Sequence, residues 1–285
     1  MKKLHKKIGF IGAGNMGEAI IGALLRSEIS LPEEILISDP SRERLAHLQN
    51  KYAVGIAQNN LDLFLQSEIV ILAVKPQAME PVVREITEAP EYQSVSDTKL
   101  MISIAAGVTI QKLEALFYLS SGNGAPEKKP IIRVMPNTPA MVLSGMSGMS
   151  GNQYASPADR KTARIILEAM GSVVEVKEED MDAVTAVSGS GPAYVFFLAE
   201  SMIEAGIALG FDPDTAVTLT MKTIEGALKL MQESTDTPET LRKKVTSPGG
   251  TTEAAFQVLS ANRVKAVMVE AISRAAERSR ELSRN

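Results

Sequence analysis

Ile8-Gly9-Phe10-Ile11-Gly12-Ala13-Gly14-Asn15-Met16-Gly17 decides how the first half of this chain is read. An apolar run that reads as a strand leads directly into glycines at the G-x-G-x-x-G spacing, and a stretch of helical period follows. Strand, glycine turn and helix in that order build a seat for the pyrophosphate of a dinucleotide. The first glycine allows the tight turn, the second lets the backbone approach the phosphates, and the third lets the helix pack close to the strand. The unpaired N–H groups at the helix start, and the positive end of its dipole, face the anion. Gly12, Ala13, Gly14, Asn15 and Met16 are therefore the expected cradle. The basic leader MKKLHKK before this apolar run resembles the start of a secretory signal, but Asn15 and Glu18 interrupt the run and the glycine spacing is better explained by the turn.

Outward from this turn, the runs IGFIG, EILISD, IVILAV, LMISIA, IIRVMP and SVVEV read as strands. Helical stretches at 18–27, 41–52, 77–88, 109–119 and 156–170 alternate with them. Such alternation predicts an α/β fold, a doubly wound and mostly parallel sheet with helices on both faces. Ser120 to Lys129, which contains SGNGAPEKK, is expected to be a polar loop. Beyond about Glu178 the pattern turns to long stretches of 3.6-residue period without a strand candidate. The expected organisation is a nucleotide-binding domain over 1–176 and an all-helical domain over 177–285. Within the second, Gly210 ends one helix, Asp212-Pro213 opens the next, and Thr237-Pro238 opens another. Its methionines Met202, Met221, Met231 and Met268 either fill its own core or mark a face that a second subunit covers.

Composition narrows the chemistry. The 285 residues are 45% apolar and 22% charged with a formal net charge of −4, which predicts a soluble globular protein without broad attraction to nucleic acid or acidic membranes. No run reaches the roughly 18 apolar residues of a membrane span. The absence of cysteine removes disulfides, thiolate nucleophiles and cysteine metal sites, and fits a cytoplasmic location. Only His5 and His47 are present, so neither a Ser-His-Asp hydrolase nor a histidine metal site is expected.

Further cofactor residues are expected where strands end, since open parallel sheets bind ligands beyond their carboxyl edges. Asp39 ends the second strand, 22 residues beyond Gly17, where an acid accepts bonds from a ribose 2′-hydroxyl and favours NAD. Ser41 and Arg42 follow at once and offer what a 2′-phosphate needs, and Pro40 can turn Asp39 away. NADP is the modest preference and NAD stays open, as does Arg42 as a solvated charge. Ala73, Val74, Lys75 and Pro76 close the next strand and are expected to line the cleft; Lys75 reads more readily as an exposed strand-end lysine than as a catalytic amine. Ala105 and Ala106 repeat the pattern one strand on. In the helical half, Ser247-Pro248-Gly249-Gly250-Thr251-Thr252 precedes a strong helix, which makes it either an amide-rich seat for a carboxylate or a plain interhelical turn.

Taken together, GFIGAGNMG, ILAVKPQ, SIAAGV, RVMPNTPA, AVSGSGPAY and VTSPGGTT stand in the order and spacing of the pyrroline-5-carboxylate reductases, and the chain resembles that family from about Ile8 to beyond residue 270. The resemblance implies an N-terminal Rossmann domain and a C-terminal helical dimerisation domain interlocked with that of a partner, in a homodimer or a larger assembly such as a decamer. It implies reduction of the cyclic imine pyrroline-5-carboxylate to L-proline with NADPH or NADH. It maps substrate contact onto Ser247 and Thr252, carboxylate binding onto the backbone of Gly250 and Thr251, and the adenosine side of the cofactor onto Asn60. Some members carry a cofactor-reaching asparagine and a substrate-side glutamate where this chain has Lys244 and Thr235, so those two contacts are not carried over.

The chemistry suits the residue inventory, because a protonated imine asks little of a general acid and placement is the main task. Thr252 is the expected polar helper at the imine nitrogen, as donor or water-orienting group, with a helix cap as the alternative. Two other readings share this outline: a β-hydroxyacid dehydrogenase or related imine reductase, and a regulatory paralogue that keeps only the fold and the cofactor. The helix after Ser188-Gly189-Ser190-Gly191 lacks the lysine a hydroxyacid dehydrogenase needs, and the intact SPGGTT speaks against a regulator.

Overall fold

Runs that are apolar at every position can be buried on both faces, and here they become the middle of one eight-stranded sheet. The computed structural model describes residues 3–118 and 126–284. In chain order the elements are β1 (Ile8–Ile11), α1 (Asn15–Arg26), β2 (Ile35–Ser38), α2 (Arg42–Tyr52), β3 (Gly55–Ile56), α3 (Asn60–Gln66), β4 (Ile69–Leu72), α4 (Pro76–Thr87), α5 (Pro90–Gln93), β5 (Leu100–Ser103) and α6 (Ile110–Tyr118). There follow β6 (Ile131–Met135), β7 (Gly145–Gly151), α7 (Pro157–Glu168), β8 (Gly171–Glu175), α8 (Met181–Val184), α9 (Gly191–Ala208), α10 (Pro213–Glu233), α11 (Pro238–Lys244), α12 (Thr251–Ala261) and α13 (Val264–Arg284). Strand order is β3-β2-β1-β4-β5-β6-β7-β8. β1 to β6 are parallel, β7 is antiparallel to β6, and β8 is parallel to β7. The order reverses at β1, so the crevice beyond the ends of β1 and β4 is the topological switch point.

Side chains alternate along each strand between two cores. Ile8, Phe10, Ile69, Ile71, Ile102 and Ile132 join Ile20 and Leu24 of α1 and Ile166 of α7 on one face. On the other, Ile11, Val70, Leu72 and Met101 join Leu63, Phe64, Met79, Val83, Leu113 and Phe117. This is the expected doubly wound sheet. Two strands and the short helices α3 and α5 escape the sequence pattern. β3 has two residues, too few for any periodicity, and α3 is a short helix capped by Asn59. β7 reads GMSGMSG and contains no β-branched residue; its glycines answer to neighbours, since a Cβ on Gly148 would lie 2.6 Å from Val184 and one on Gly145 2.8 Å from Ala140. Most of the expected loop 120–129 lies outside the described residues, and Pro126–Lys128 forms a 3₁₀ turn.

Two compact units emerge, with the first running to Gly189 and resuming at Ala276, and the second spanning Ser190–Ala275. The sequence pattern had put the change at 176/177. Residues beyond 176 stay with the sheet because they fill its polar and apolar vacancies. Glu178 pairs at 2.7 Å with Arg133, which is only 4% exposed in β6, and also accepts the N–H of Ile110 at 3.0 Å. Met181 and Ala186 are buried, and Asp182 accepts a 2.5 Å bond from Ser279 of α13.

In the second unit, Asp212 caps α10 through Thr215, Thr237 caps α11 through Thr240, and Gly210 ends α9 at a φ of +101°, as anticipated. The long periodic stretch after Glu253 is two helices, not one, because Arg263 adopts a left-handed φ of +53° between α12 and α13. Among residues 190–275 only Ala216 and Thr220 are buried, while Phe196 and Phe197 are each 65% exposed. Met221 and Met231 are exposed as well, so they do not fill a core of their own unit. Apolar surface on this scale marks an interaction face. No helix of the described residues is long and apolar enough to cross a membrane.

Removing half-buried Glu178 strands the charge of buried Arg133. Glu178→Ala is therefore expected to lower the unfolding free energy by about 3 kcal/mol. Urea denaturation would show it as a lower midpoint, and an unchanged midpoint would remove this pair from what holds 177–189 on the sheet.

Candidate active site

The glycine turn joins β1 to α1 at the switch point. Gly12 has a φ of +96°, and a Cβ there would lie 2.7 Å from the backbone carbonyl of Ala73, just past β4. Glycine is the residue that fits. Gly17 packs α1 down on the turn, with its Cβ position 2.9 Å from the Gly12 oxygen. Gly14 differs: its φ of −70° is ordinary, it is exposed, and a Cβ would meet no protein atom within 4 Å. What its missing side chain leaves free is room for a ligand. Gly14 also starts α1 without any side-chain cap, so the first-turn amides of Asn15 and Met16 are offered to an anion.

Acid and base from the neighbouring β2–α2 turn hold the peptide units around Ala13. Asp39 accepts the Ala13 N–H at 2.8 Å through one oxygen and the Ser41 N–H at 2.9 Å through the other. Its carboxylate is thus turned back onto the glycine turn. Ser41 caps α2 by accepting from the Arg44 N–H at 3.2 Å, and Arg42 stands exposed beside it. The Arg44 Nε donates to the Ala13 carbonyl at 2.6 Å, and its guanidinium pairs with Glu18 of α1. Glu18 also accepts from Lys51 at 2.9 Å and from Tyr52 at 3.4 Å. Burial alone would raise the Glu18 carboxyl, but the hydrogen bonds from Lys51 and Arg44 outweigh it and hold it below the ordinary glutamate value. Neither Arg44 nor Glu18 is an expected site residue from the sequence; the local hint is the run of charges Arg42, Glu43, Arg44.

The other expected residues collect at the same sheet edge. Asn60 opens α3, and its side chain is fixed by accepting from the Ser38 hydroxyl at 2.8 Å and donating to Glu85 at 2.6 Å. Ala73 follows β4 and donates its N–H to Ile11 at 2.8 Å. Lys75 is the exposed N-cap of α4, with Pro76 in its first turn and no side-chain capping bond. After β5, Ala105 is buried and Ala106 exposed, and Gly107 takes a φ of +74°. Asn137, past the end of β6, ties RVMPNTPA to AVSGSGPAY: it accepts from Met146 N–H at 2.8 Å and donates to the Ser188 carbonyl at 3.2 Å. Ser188 belongs to a π-helical turn, Thr185–Gly189, a rare form that recurs at functional sites.

In the second unit, Ser247-Pro248-Gly249-Gly250 closes a turn with Gly250 N–H donating to the Ser247 carbonyl at 3.0 Å and Gly249 at a φ of +71°. The Ser247 hydroxyl lies over Gly250, where a Cβ would come within 2.4 Å of it. Gly250 starts α12 without a side-chain cap. Thr252 sits one residue inside the helix, so it does not serve as the N-cap. Glu253, which the sequence reading passed over, accepts the Gly249 N–H at 2.8 Å. The result is an amide-rich bend with three hydroxyl residues around it.

Known proteins resemble this chain over nearly its whole length. Residues 178–282 match the family described as pyrroline-5-carboxylate reductase dimerisation, and residues 7–107 match the one described as NADP oxidoreductase coenzyme F420-dependent. The chain is 40% identical over 278 residues to a pyrroline-5-carboxylate reductase of Pseudomonas aeruginosa, covering 97% of each. It is similar to a pyrroline-5-carboxylate reductase structure from Coxiella burnetii, with a TM-score of 0.86, 34% identity and 98% of each chain covered. It is likewise similar to a Plasmodium falciparum pyrroline carboxylate reductase crystallised with NADP bound, with a TM-score of 0.85, 31% identity and 99% of each chain covered.

Two glycines of one motif should fail differently. Gly14→Ala is expected to leave the melting temperature within about 1 °C while raising the KM for the dinucleotide at least about tenfold, whereas Gly12→Ala loses about 2 kcal/mol or more of stability through strain. Equal melting losses in both would contradict this division. Glu18 carries a pH dependence: a lowered folded pKa contributes stability above the ordinary value of 4.5 and loses it as pH falls through the folded pKa. The stability gap between wild type and Glu18→Gln should accordingly be constant near neutrality and close in acid, read from urea unfolding across pH.

Proposed function

The chain belongs to the pyrroline-5-carboxylate reductase family, and on that premise we propose that it reduces 1-pyrroline-5-carboxylate to L-proline with NADPH, the closing step of proline synthesis. Its second half is a dimerisation domain, and the chain self-associates. A homodimer, or a larger assembly of dimers, covers the apolar helices of the second unit. The domain roles divide accordingly, with cofactor held by the sheet and substrate by the helical region.

Backbone at Gly12, Ala13, Gly14, Asn15 and Met16 receives the pyrophosphate, and the uncapped start of α1 together with the open space at Gly14 fits that group. Asn60, locked by Ser38 and Glu85, faces the adenosine side. Ser41 and Arg42 take the 2′-phosphate, while Asp39 serves by holding the turn. Ala73, Val74, Lys75, Pro76, Ala105 and Ala106 form the floor beside the nicotinamide, where small residues and backbone keep the approach open. When bound, NADPH supplies the hydride that adds to the imine carbon.

One observation carries the substrate assignment: the bend at Ser247–Gly250 delivers a helix start with no side-chain cap, which leaves its amides for a carboxylate. The Thr251 N–H holds that carboxylate, the Gly250 N–H shares its hydrogen between it and the Ser247 carbonyl that it meets at 3.0 Å, and the Ser247 hydroxyl adds a donor. Anchored there, the ring presents its imine in a fixed orientation, and placement of this kind is worth several kcal/mol of barrier. An imine nitrogen that enters protonated needs no strong acid during transfer, which suits a chain without cysteine and with histidines only at positions 5 and 47. The Thr252 hydroxyl, not engaged as helix N-cap, accepts from the N–H of that protonated nitrogen, donates to it once hydride addition has restored its lone pair, or orients a water beside it.

Oxidation of NADPH dependent on pyrroline-5-carboxylate, with proline as product, tests the activity. In that assay Thr252→Ala should reduce kcat at least about tenfold while the KM for NADPH stays within about twofold. Undiminished turnover would take Thr252 out of the reaction.

A further inference from the structure

Arg44 lies in none of the six stretches that carry the family resemblance, yet it closes a ring of hydrogen bonds around the cofactor turn. Asp39 accepts the Ala13 N–H through one oxygen and the Ser41 N–H through the other, the Ser41 hydroxyl accepts the Arg44 N–H, and Arg44 Nε donates to the Ala13 carbonyl at 2.6 Å. The guanidinium is held from its other side by Glu18, itself bound by Lys51 and Tyr52. Arg44 is therefore committed to the turn, with a side chain 26% exposed, while Arg42 two residues earlier is exposed. Two arginines of one helix turn thus have different surroundings.

We propose that Arg44 is a positioning residue for the cofactor's pyrophosphate, acting through the Ala13–Gly14 peptide. That peptide is planar and trans, so its carbonyl oxygen and the Gly14 N–H point in opposite directions. A cation that draws the oxygen toward α2 aims the hydrogen the other way, at a residue that is exposed and whose Cβ position meets no protein atom within 4 Å. The same contact polarises the peptide and strengthens Gly14 as a donor to an anion. Glu18 keeps the guanidinium from swinging outward to the bound nucleotide, and also offsets its charge, so the influence passes through the peptide. Both NADPH and NADH carry a pyrophosphate, so Arg44 serves them equally, in contrast to Ser41 and Arg42, whose proposed target only NADPH has. This rests on the reading that the dinucleotide binds at the β1–α1 turn.

The test compares wild type with Arg44→Ala and Arg44→Lys in steady-state kinetics and in inhibition by two fragments: ADP-ribose, which has the pyrophosphate, and adenosine 2′-phosphate, which lacks it. Arg44→Ala should weaken NADPH, NADH and ADP-ribose by the same factor, about tenfold. Inhibition by adenosine 2′-phosphate and the KM for pyrroline-5-carboxylate should not move. Arg44→Lys, which keeps a cation but not the two-sided grip, should fall between; it also decides the matter if the alanine variant does not fold. A loss confined to NADPH and adenosine 2′-phosphate, or no loss with ADP-ribose, overturns the proposal. Absence of pyrroline-5-carboxylate turnover in wild type would instead overturn the functional reading.

Discussion

At one point two backbones touch with no side chain between them. Gly12, leaving β1, lies against the carbonyl of Ala73, leaving β4, closely enough that a single methyl group would force them apart. This contact is possible because β1 and β4 are parallel neighbours on one side of the point where strand order reverses. Their carboxyl ends meet there, and α1 begins above them with amides that no side chain caps. The cofactor cradle is thus a property of backbone geometry, and the apolar strands beneath hold it rigid by being buried on both faces.

A second layer of control is electrostatic. Asp39 stands where an acid often binds a ribose, but its two oxygens are engaged by Ala13 and Ser41 amides. An acid whose two oxygens are engaged by the turn is compatible with the use of NADP. Glu18, Arg44, Lys51 and Tyr52 extend the same network across α1 and α2, joining the turn to the two helices that frame it. Charge here shapes backbone direction instead of contacting the reaction.

The helical region follows a different logic. Its helices are correctly capped and individually regular, yet they bury almost nothing among themselves. The match to a dimerisation family accounts for this, because helices that self-associate keep apolar faces for another copy. The proposed reaction needs neither cysteine nor histidine, because it asks the protein mainly to orient an imine that is already protonated.

Much was determined by the sequence alone, and for clear reasons. Strand–glycine–helix at residues 8–26 is local chemistry, as are the caps at Asp212 and Thr237 and the end of α9 at Gly210, so their signals lie within a few residues of where they act. Six motifs in register carried the family because each is a backbone solution that tolerates few residue types. What only the tertiary structure decided depends on partners far away in the chain. β7 is a strand because β6 and β8 pair with it, its glycines answer to Val184 and Ala140, and no periodicity announces it. The first unit extends past residue 176 because Glu178 finds Arg133 and Asp182 finds Ser279. Asp39 faces inward because Ala13 presents an amide to it, and Arg44 matters because the same residue presents a carbonyl. Direction of a side chain is a three-dimensional fact, set by what stands opposite, and a one-dimensional string records only that the side chain is there.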